Sequence, residues 1–118
     1  MVNNMKNYWD GENWLKIFKT NCLIEYYLNG KKHRKDGPSR IWYDRKGFIG
    51  FEQYYLNDKR HRKDGPALIH YYDDNSVNLE AYCFNDKKHR KDGPAILHYN
   101  RDKTIRYQRY FFKGKLII

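Results

Sequence analysis

Histidine, arginine, lysine and aspartate stand together three times in this chain, as "NGKKHRKDGPS" from Asn29, "NDKRHRKDGPA" from Asn57 and "NDKKHRKDGPA" from Asn85. Such residues serve three chemistries: metal ligation, acid–base or nucleophilic catalysis, and capture of an anionic partner. His33, His61 and His89 recur every 28 residues without drift, as do Asp36, Asp64 and Asp92, and Pro38, Pro66 and Pro94. If each unit supplies two strands, equivalent residues lie two strand spacings apart, about 9–10 Å. Ligands of one zinc ion must each come within about 2 Å of it. The three histidines therefore cannot share a metal, and one His with one Asp leaves a site incomplete, so neither a metal nor a cofactor is expected. Catalysis needs unlike residues converging on one pocket, whereas this chain places like residues along a row. No catalytic residue is assigned, and a non-enzymatic role is expected.

Charge is the chemistry that remains. Lys31, Lys32, Arg34 and Lys35 recur as Lys59, Arg60, Arg62 and Lys63, and again as Lys87, Lys88, Arg90 and Lys91. Four basic residues against one aspartate give each cluster a net +3, so the three clusters nearly account for the chain's +10. A repeated fold aligns them as a basic stripe along one edge, which either engages an anionic partner or is a solvated edge that discourages pairing with other strands. A second candidate surface is an aromatic row of Trp42, His70 and His98, with Arg40 beside it and Trp14 one period before Trp42. Exposed aromatics beside basic groups suit protein contacts and stacked bases. They also serve simply to cover the second face of a sheet.

The elements that must position these residues read as strands. In "PALIHYY", Ala67, Ile69 and Tyr71 alternate with Leu68, His70 and Tyr72, a period of two. The first set stays small, aliphatic and tyrosine in every copy (Ser39/Ala67/Ala95, Ile41/Ile69/Leu97, Tyr43/Tyr71/Tyr99), which marks a packed face. A second strand covers Phe48 to Leu56, with Ile49/Val77/Ile105 alternating with Gly50/Asn78/Arg106. Turns fall at Asn29-Gly30, Asn57-Asp58 and Asn85-Asp86 on one side and at "DRKG", "DDNS" and "NRDK" on the other. The Asp-Gly-Pro of each cluster is expected to kink the chain, with glycine supplying a positive φ and proline opening the next strand without forfeiting a ladder bond.

Composition agrees with a thin sheet. Mean hydropathy is -1.09, and much of the 40% apolar content is twelve Tyr, six Phe and three Trp, rings that bury their faces while their polar tips reach water. A pI near 9.6 keeps acidic proteins, nucleic acid and anionic lipid in view as partners. Cys22 and Cys83 fall at different positions of the repeat and read as free thiols of a reducing compartment. The start "MVNNMKNYWDGENW" has no apolar run of signal-peptide length, and no segment is long and apolar enough for a membrane span. A cytoplasmic location is expected, in the host cytoplasm if the source is viral. The Asn, Lys, Tyr and Ile usage fits an AT-rich viral or bacterial genome.

"YYLNGKKHRKDGP" resembles the MORN repeat, and more closely its variants in bacterial proteins and large DNA viruses. Tyr26, Asn29, Gly30, Lys31, His33 and Gly37 fall on the positions of that motif. So do Tyr54, Asn57, Lys59, His61 and Gly65, and then Tyr82, Asn85, Lys87, His89 and Gly93. The period is longer than usual, and Arg34, Arg62 and Arg90 stand where the family usually has glycine after the histidine. The resemblance implies an all-β fold, one elongated, twisted antiparallel β-meander of repeated hairpins. Residues 25–52, 53–80 and 81–108 would be the repeats, 1–24 and 109–118 half-units that cap them, and 1–118 one domain. It implies an interaction or scaffold role, in some relatives beside toxins. The expected function is protein–protein interaction through the basic edge and aromatic row with an acidic partner, a host factor or a toxin. Nucleic-acid or anionic-lipid binding is the alternative.

Overall fold

A computed structural model describes residues 4–117. The first strands are β1 (Asn4–Trp9), β2 (Trp14–Lys19), β3 (Leu23–Leu28) and β4 (Lys31–Lys32). The next are β5 (Arg40–Tyr43), β6 (Ile49–Gln53), β7 (Tyr55–Leu56), β8 (Lys59–Arg60), β9 (Leu68–Tyr71) and β10 (Val77–Ala81). The last are β11 (Cys83–Phe84), β12 (Lys87–Lys88), β13 (Ile96–Tyr99), β14 (Ile105–Arg109), β15 (Phe111–Phe112) and β16 (Lys115–Leu116). No helix occurs among the described residues. The long strands form one open antiparallel sheet in the order β1-β2-β3-β5-β6-β9-β10-β13-β14, the all-β meander of hairpins that the two-residue periodicity predicts. The radius of gyration is 15.2 Å, against about 13.5 Å for a compact globule of this length.

Each repeat adds a hairpin in two tiers. The second long strand runs on past one residue into a two-residue strand, which turns back on itself as β7–β8, β11–β12 or β15–β16, just as β3 turns into β4. Both turn residues have positive φ: Asn29 and Gly30 at 50° and 79°, Asn57 and Asp58 at 49° and 65°, Asn85 and Asp86 at 47° and 69°. This is the type I′ geometry that Asn, Asp and Gly favour. The short hairpins are tied to one another through their backbones, Asp58 N–H donating to Lys32 O at 2.9 Å, Asp86 to Arg60 O and Gly114 to Lys88 O, both at 2.8 Å. The second tier therefore repeats in step with the first.

The far turns carry the same regularity with a twist in register. Asp44 Oδ1 accepts the N–H groups of Lys46 and Phe48, and positive φ falls at Gly47, Asn75 and Lys103. Behind each turn the register shifts, so that Tyr43 faces Ile49 while Trp42 faces Phe51. The alternation read into Phe48–Leu56 is thus interrupted by a bulge at Gly50, repeated at Asn78 and Arg106. Gly50 has a further reason to lack a side chain, since a Cβ there would lie 2.1 Å from the Trp42 ring.

Packing is tightest where the two tiers meet. Ser39, Ala67 and Ala95 are 0% exposed, because each is hydrogen-bonded on both sides: Ala67 N–H to Ala81 O, and Tyr54 N–H to Ala67 O. On the same face Leu97 is buried, while Ile41 and Ile69 are half-exposed. Tyr71 and Tyr99 donate to Glu52 and Glu80 at 2.6 Å. Burial and that bond to a carboxylate push the Tyr99 hydroxyl up to about 12.

The N-terminal hairpin departs from the repeat. Trp14 does not occupy the place of Trp42: Lys19 faces Ile24 across a tight turn at Asn21 and Cys22, and Trp14 faces Trp9 at the other end of β2. β2 runs on to Lys19, past Leu15, the equivalent of the Tyr43 at which β5 ends, and this later turn carries Trp14 out of the row.

Candidate functional site

Within each cluster the bend is built around its arginine. Arg34, Arg62 and Arg90 lie over the rings of Tyr26, Tyr54 and Tyr82, at 4.2, 4.0 and 4.0 Å from guanidinium carbon to ring centroid. Each also donates through Nη1 to the carbonyl of Pro38, Pro66 or Pro94 at 3.2 Å. A partly desolvated stack of this kind contributes about 1–2 kcal/mol. The glycines of the bends explain themselves here. Gly37, Gly65 and Gly93 do not have the positive φ expected of them. A Cβ on Gly37 or Gly65 would instead meet the arginine Cζ at 2.8 or 3.0 Å, and one on Gly93 would meet Arg90 Nη1 at 3.2 Å. They are glycine because the arginine crosses the backbone there.

The histidines join one repeat to the next. His33, His61 and His89 accept through Nδ1 the backbone N–H of Asn57, Asn85 and Lys113, at 3.1, 3.0 and 2.9 Å. That bond leaves the ring proton on Nε2 and requires the neutral imidazole. His61 and His89 also lie against Phe84 and Phe112. Burial holds His33 and His61 below the ordinary histidine range.

The twelve basic residues divide into three kinds. The arginines are fixed over tyrosines as described. Lys32, Arg60 and Lys88 reach the following short hairpin: Lys32 Nζ is 4.5 Å from the Tyr55 ring centroid, Lys88 Nζ 5.2 Å from that of Phe111, and Arg60 pairs with Asp86 at 2.8 Å. The remaining six, Lys31, Lys59, Lys87, Lys35, Lys63 and Lys91, are exposed. Among them Lys35 pairs with Glu12. The other five have no ion pair among the described residues. The same period of 28 that finds the lysines also finds the tyrosine platforms, although nothing local in the sequence marks an arginine as packed.

The aromatic row is longer than its sequence signature. Register aligns Leu23, Trp42, Phe51, His70, Leu79, His98 and Tyr107 across seven adjacent strands. Trp42 stacks on Phe51 at 6.2 Å and Phe51 on His70 at 5.6 Å, and His98 stacks on Tyr107 at 4.5 Å. Leu79 separates the two stacks. Phe51 and Tyr107 come from the bulged strands, and the glycine inside "FIGFEQYY" is the one sequence mark of that bulge. Trp42 is 38% exposed. Arg40 lies 5.3 Å from the Phe51 ring centroid and is bonded to Glu25 and Gln53. Burial first, and then the positive charge of His98, keep His70 below its ordinary pKa; burial and Arg106 do the same for His98. The row crosses the long strands, whereas the lysines follow the short hairpins and bends, so the two candidate surfaces occupy different tiers.

Both cysteines are unpaired, Cys22 exposed and Cys83 buried, with burial raising the Cys83 thiol. No family model, no curated protein and no solved structure matches this chain.

Proposed function

We propose that this chain is a non-enzymatic MORN-like repeat protein that binds an acidic protein partner, with the basic edge as the main contact and the aromatic row as a second one. The reading is carried by one observation: in every repeat the arginine and the second basic residue are held by the fold, while a lysine on each side of them is exposed. Side chains committed to neighbours hold the backbone, and free ammonium groups are left to meet something anionic. Asp64 and Asp92 stand among these lysines. Their carboxylates break up a phosphate track but leave room for hydrogen-bonded pairing with a protein, which favours protein over nucleic acid or lipid. A cytoplasmic setting belongs to the same proposal.

The test is capture from a cell lysate with nuclease treatment, comparing the parent with a variant in which Lys59, Lys63, Lys87 and Lys91 become Gln. Arg60 and Arg62 are kept because they hold the fold. The proposal expects a protein that survives nuclease and is lost with the variant, and that is also weakened by Trp42→Ala through loss of an exposed anchor. Binding that vanishes with nuclease and loses about 0.9 of log–log salt slope per removed phosphate contact would make the partner nucleic acid. Equal capture by parent and variant would leave the lysines as a solvated edge.

A further inference from the structure

The first bend differs from the other two in what faces it. The turn between β1 and β2 folds its polar side chains onto Arg34, Lys35 and Asp36. Tyr8 donates its hydroxyl to Asp36 Oδ2 at 2.5 Å and accepts from Arg34 Nη2 at 3.2 Å. Asp10 Oδ2 accepts the Lys35 backbone N–H at 3.0 Å, and Glu12 pairs with the Lys35 ammonium at 2.6 Å. The centre of the contact is closed to solvent, with Asp10 and His33 each 3% exposed and His33 Nε2 without a partner among the described residues, while the Lys35–Glu12 pair lies at its exposed rim. Burial alone would raise the Asp10 carboxyl, but the N–H groups of Asn13, Glu12 and Lys35 bring it below its ordinary value.

One and two periods later the same surface recurs without its cover. Tyr54, Arg62, Lys63 and Asp64 line a groove of about 440 Å³ whose other wall is the first bend. Tyr82, Arg90, Lys91 and Asp92 line one of about 530 Å³ against the second bend. Among the described residues neither the Lys63 nor the Lys91 backbone N–H has an acceptor, and neither ammonium has a carboxylate. His61 and His89 are only half-buried.

We infer that these two grooves are binding sites for an acidic segment of a partner protein, which places a carboxylate on the free Lys63 or Lys91 N–H and a second on the ammonium beside it, as the Tyr8–Asn13 turn does at the first bend. This rests on the reading of the basic edge as a contact for an acidic protein, and it names the site and the recognised group. The molecule supplies the template for its own ligand: a tyrosine, then Asp and Glu at alternate positions. A charge-assisted bond from a backbone N–H to a carboxylate is about twice as strong as a neutral one. The two grooves lie about 9–10 Å apart. An extended segment rising about 3.1 Å per residue spans that distance in three residues, so acidic groups three apart reach both sites and gain from linkage.

The probe is a labelled peptide, Tyr-Trp-Asp-Gly-Glu-Asn, titrated into the intact protein, with binding read from backbone amide NMR shifts. Saturable shifts at the Lys63 and Lys91 amides, and none at Lys35, are expected. Replacing the peptide's Asp by Asn and Glu by Gln should weaken binding at least about tenfold. In the protein, Asp10→Ala with Glu12→Ala removes both acceptors and should free the Lys35 amide and add it to the set that shifts. Shifts confined to the aromatic row, no saturation, or equal binding of the neutral peptide would overturn the inference, as would an oligonucleotide that moves the same amides equally well. If the captured protein partner is lost with Lys59→Gln and Lys87→Gln but kept with Lys63→Gln and Lys91→Gln, the grooves are wrong while the basic-edge reading stands. If no lysine variant affects capture, that reading itself fails.

Discussion

At the level of single residues, the glycine and histidine of each cluster hold the structure through different contacts, and each can be tested apart. Gly65 makes room for the Arg62 guanidinium, so Gly65→Ala should push Arg62 off the Tyr54 ring and cost up to about 1–2 kcal/mol, the worth of that stack. Because the clash is with one side chain, the cost should shrink in an Arg62→Ala background, and a double-mutant cycle measures the coupling. Additive losses would show that the glycine is needed for another reason. The histidines predict a pH response. His33, His61, His70 and His98 all titrate below the ordinary 6.5, chiefly through burial. The folded chain thus binds fewer protons than the unfolded chain near that pH. Their contribution is full above 6.5 and is lost as pH falls through the depressed values. Thermal melts from about pH 7.5 to about pH 5 should show a falling Tm; a flat Tm over that span contradicts the assignment.

Among the elements, the turns are the part most directly written in the residues and the part most open to improvement. Asn57-Asp58 and Asn85-Asp86 take left-handed conformations that Asn and Asp tolerate. Lys103 sits at φ 73°, where the earlier repeats have Gly47 and Asn75. Its backbone N–H donates to Asn100 O as Asn75 does to Tyr72 O, but the lysine side chain has no short polar group that bonds the local backbone as Asn can. Lys103→Asn should therefore raise stability by up to about 1 kcal/mol, seen as a higher Tm with an unchanged circular dichroism spectrum. A lower Tm would mean that the lysine makes a contact worth more than its strain.

For the whole molecule, contacts between neighbouring repeats repeat at every step, so the array should tolerate loss of one. Deleting residues 57–84 removes one full period and joins Leu56 to Asn85. β6 would then meet β13 in place of β9, with His98 facing Phe51 and Tyr99 reaching Glu52 as Tyr71 does now. A folded chain with a single melt, a lower Tm and a radius of gyration under 15.2 Å is expected. An unfolded product would mean that the three repeats are not interchangeable.

The sequence by itself determined the local and the periodic. Alternation of two, turn residues that accept positive φ, and a strict period of 28 define strands, turns and the order of hairpins, because each rests on neighbours in the chain. What a side chain touches in another strand was decided only by the tertiary structure. The row that includes Phe51 and Tyr107 depends on a bulge that shifts register, and the displacement of Trp14 depends on how far β2 runs before it turns. Lys63 and Arg62 are adjacent and equally basic in the sequence. One is free and the other is stacked on Tyr54 because the bend aims their side chains differently, and the cover that Tyr8, Asp10 and Glu12 give the first bend depends on a hairpin folding back over it.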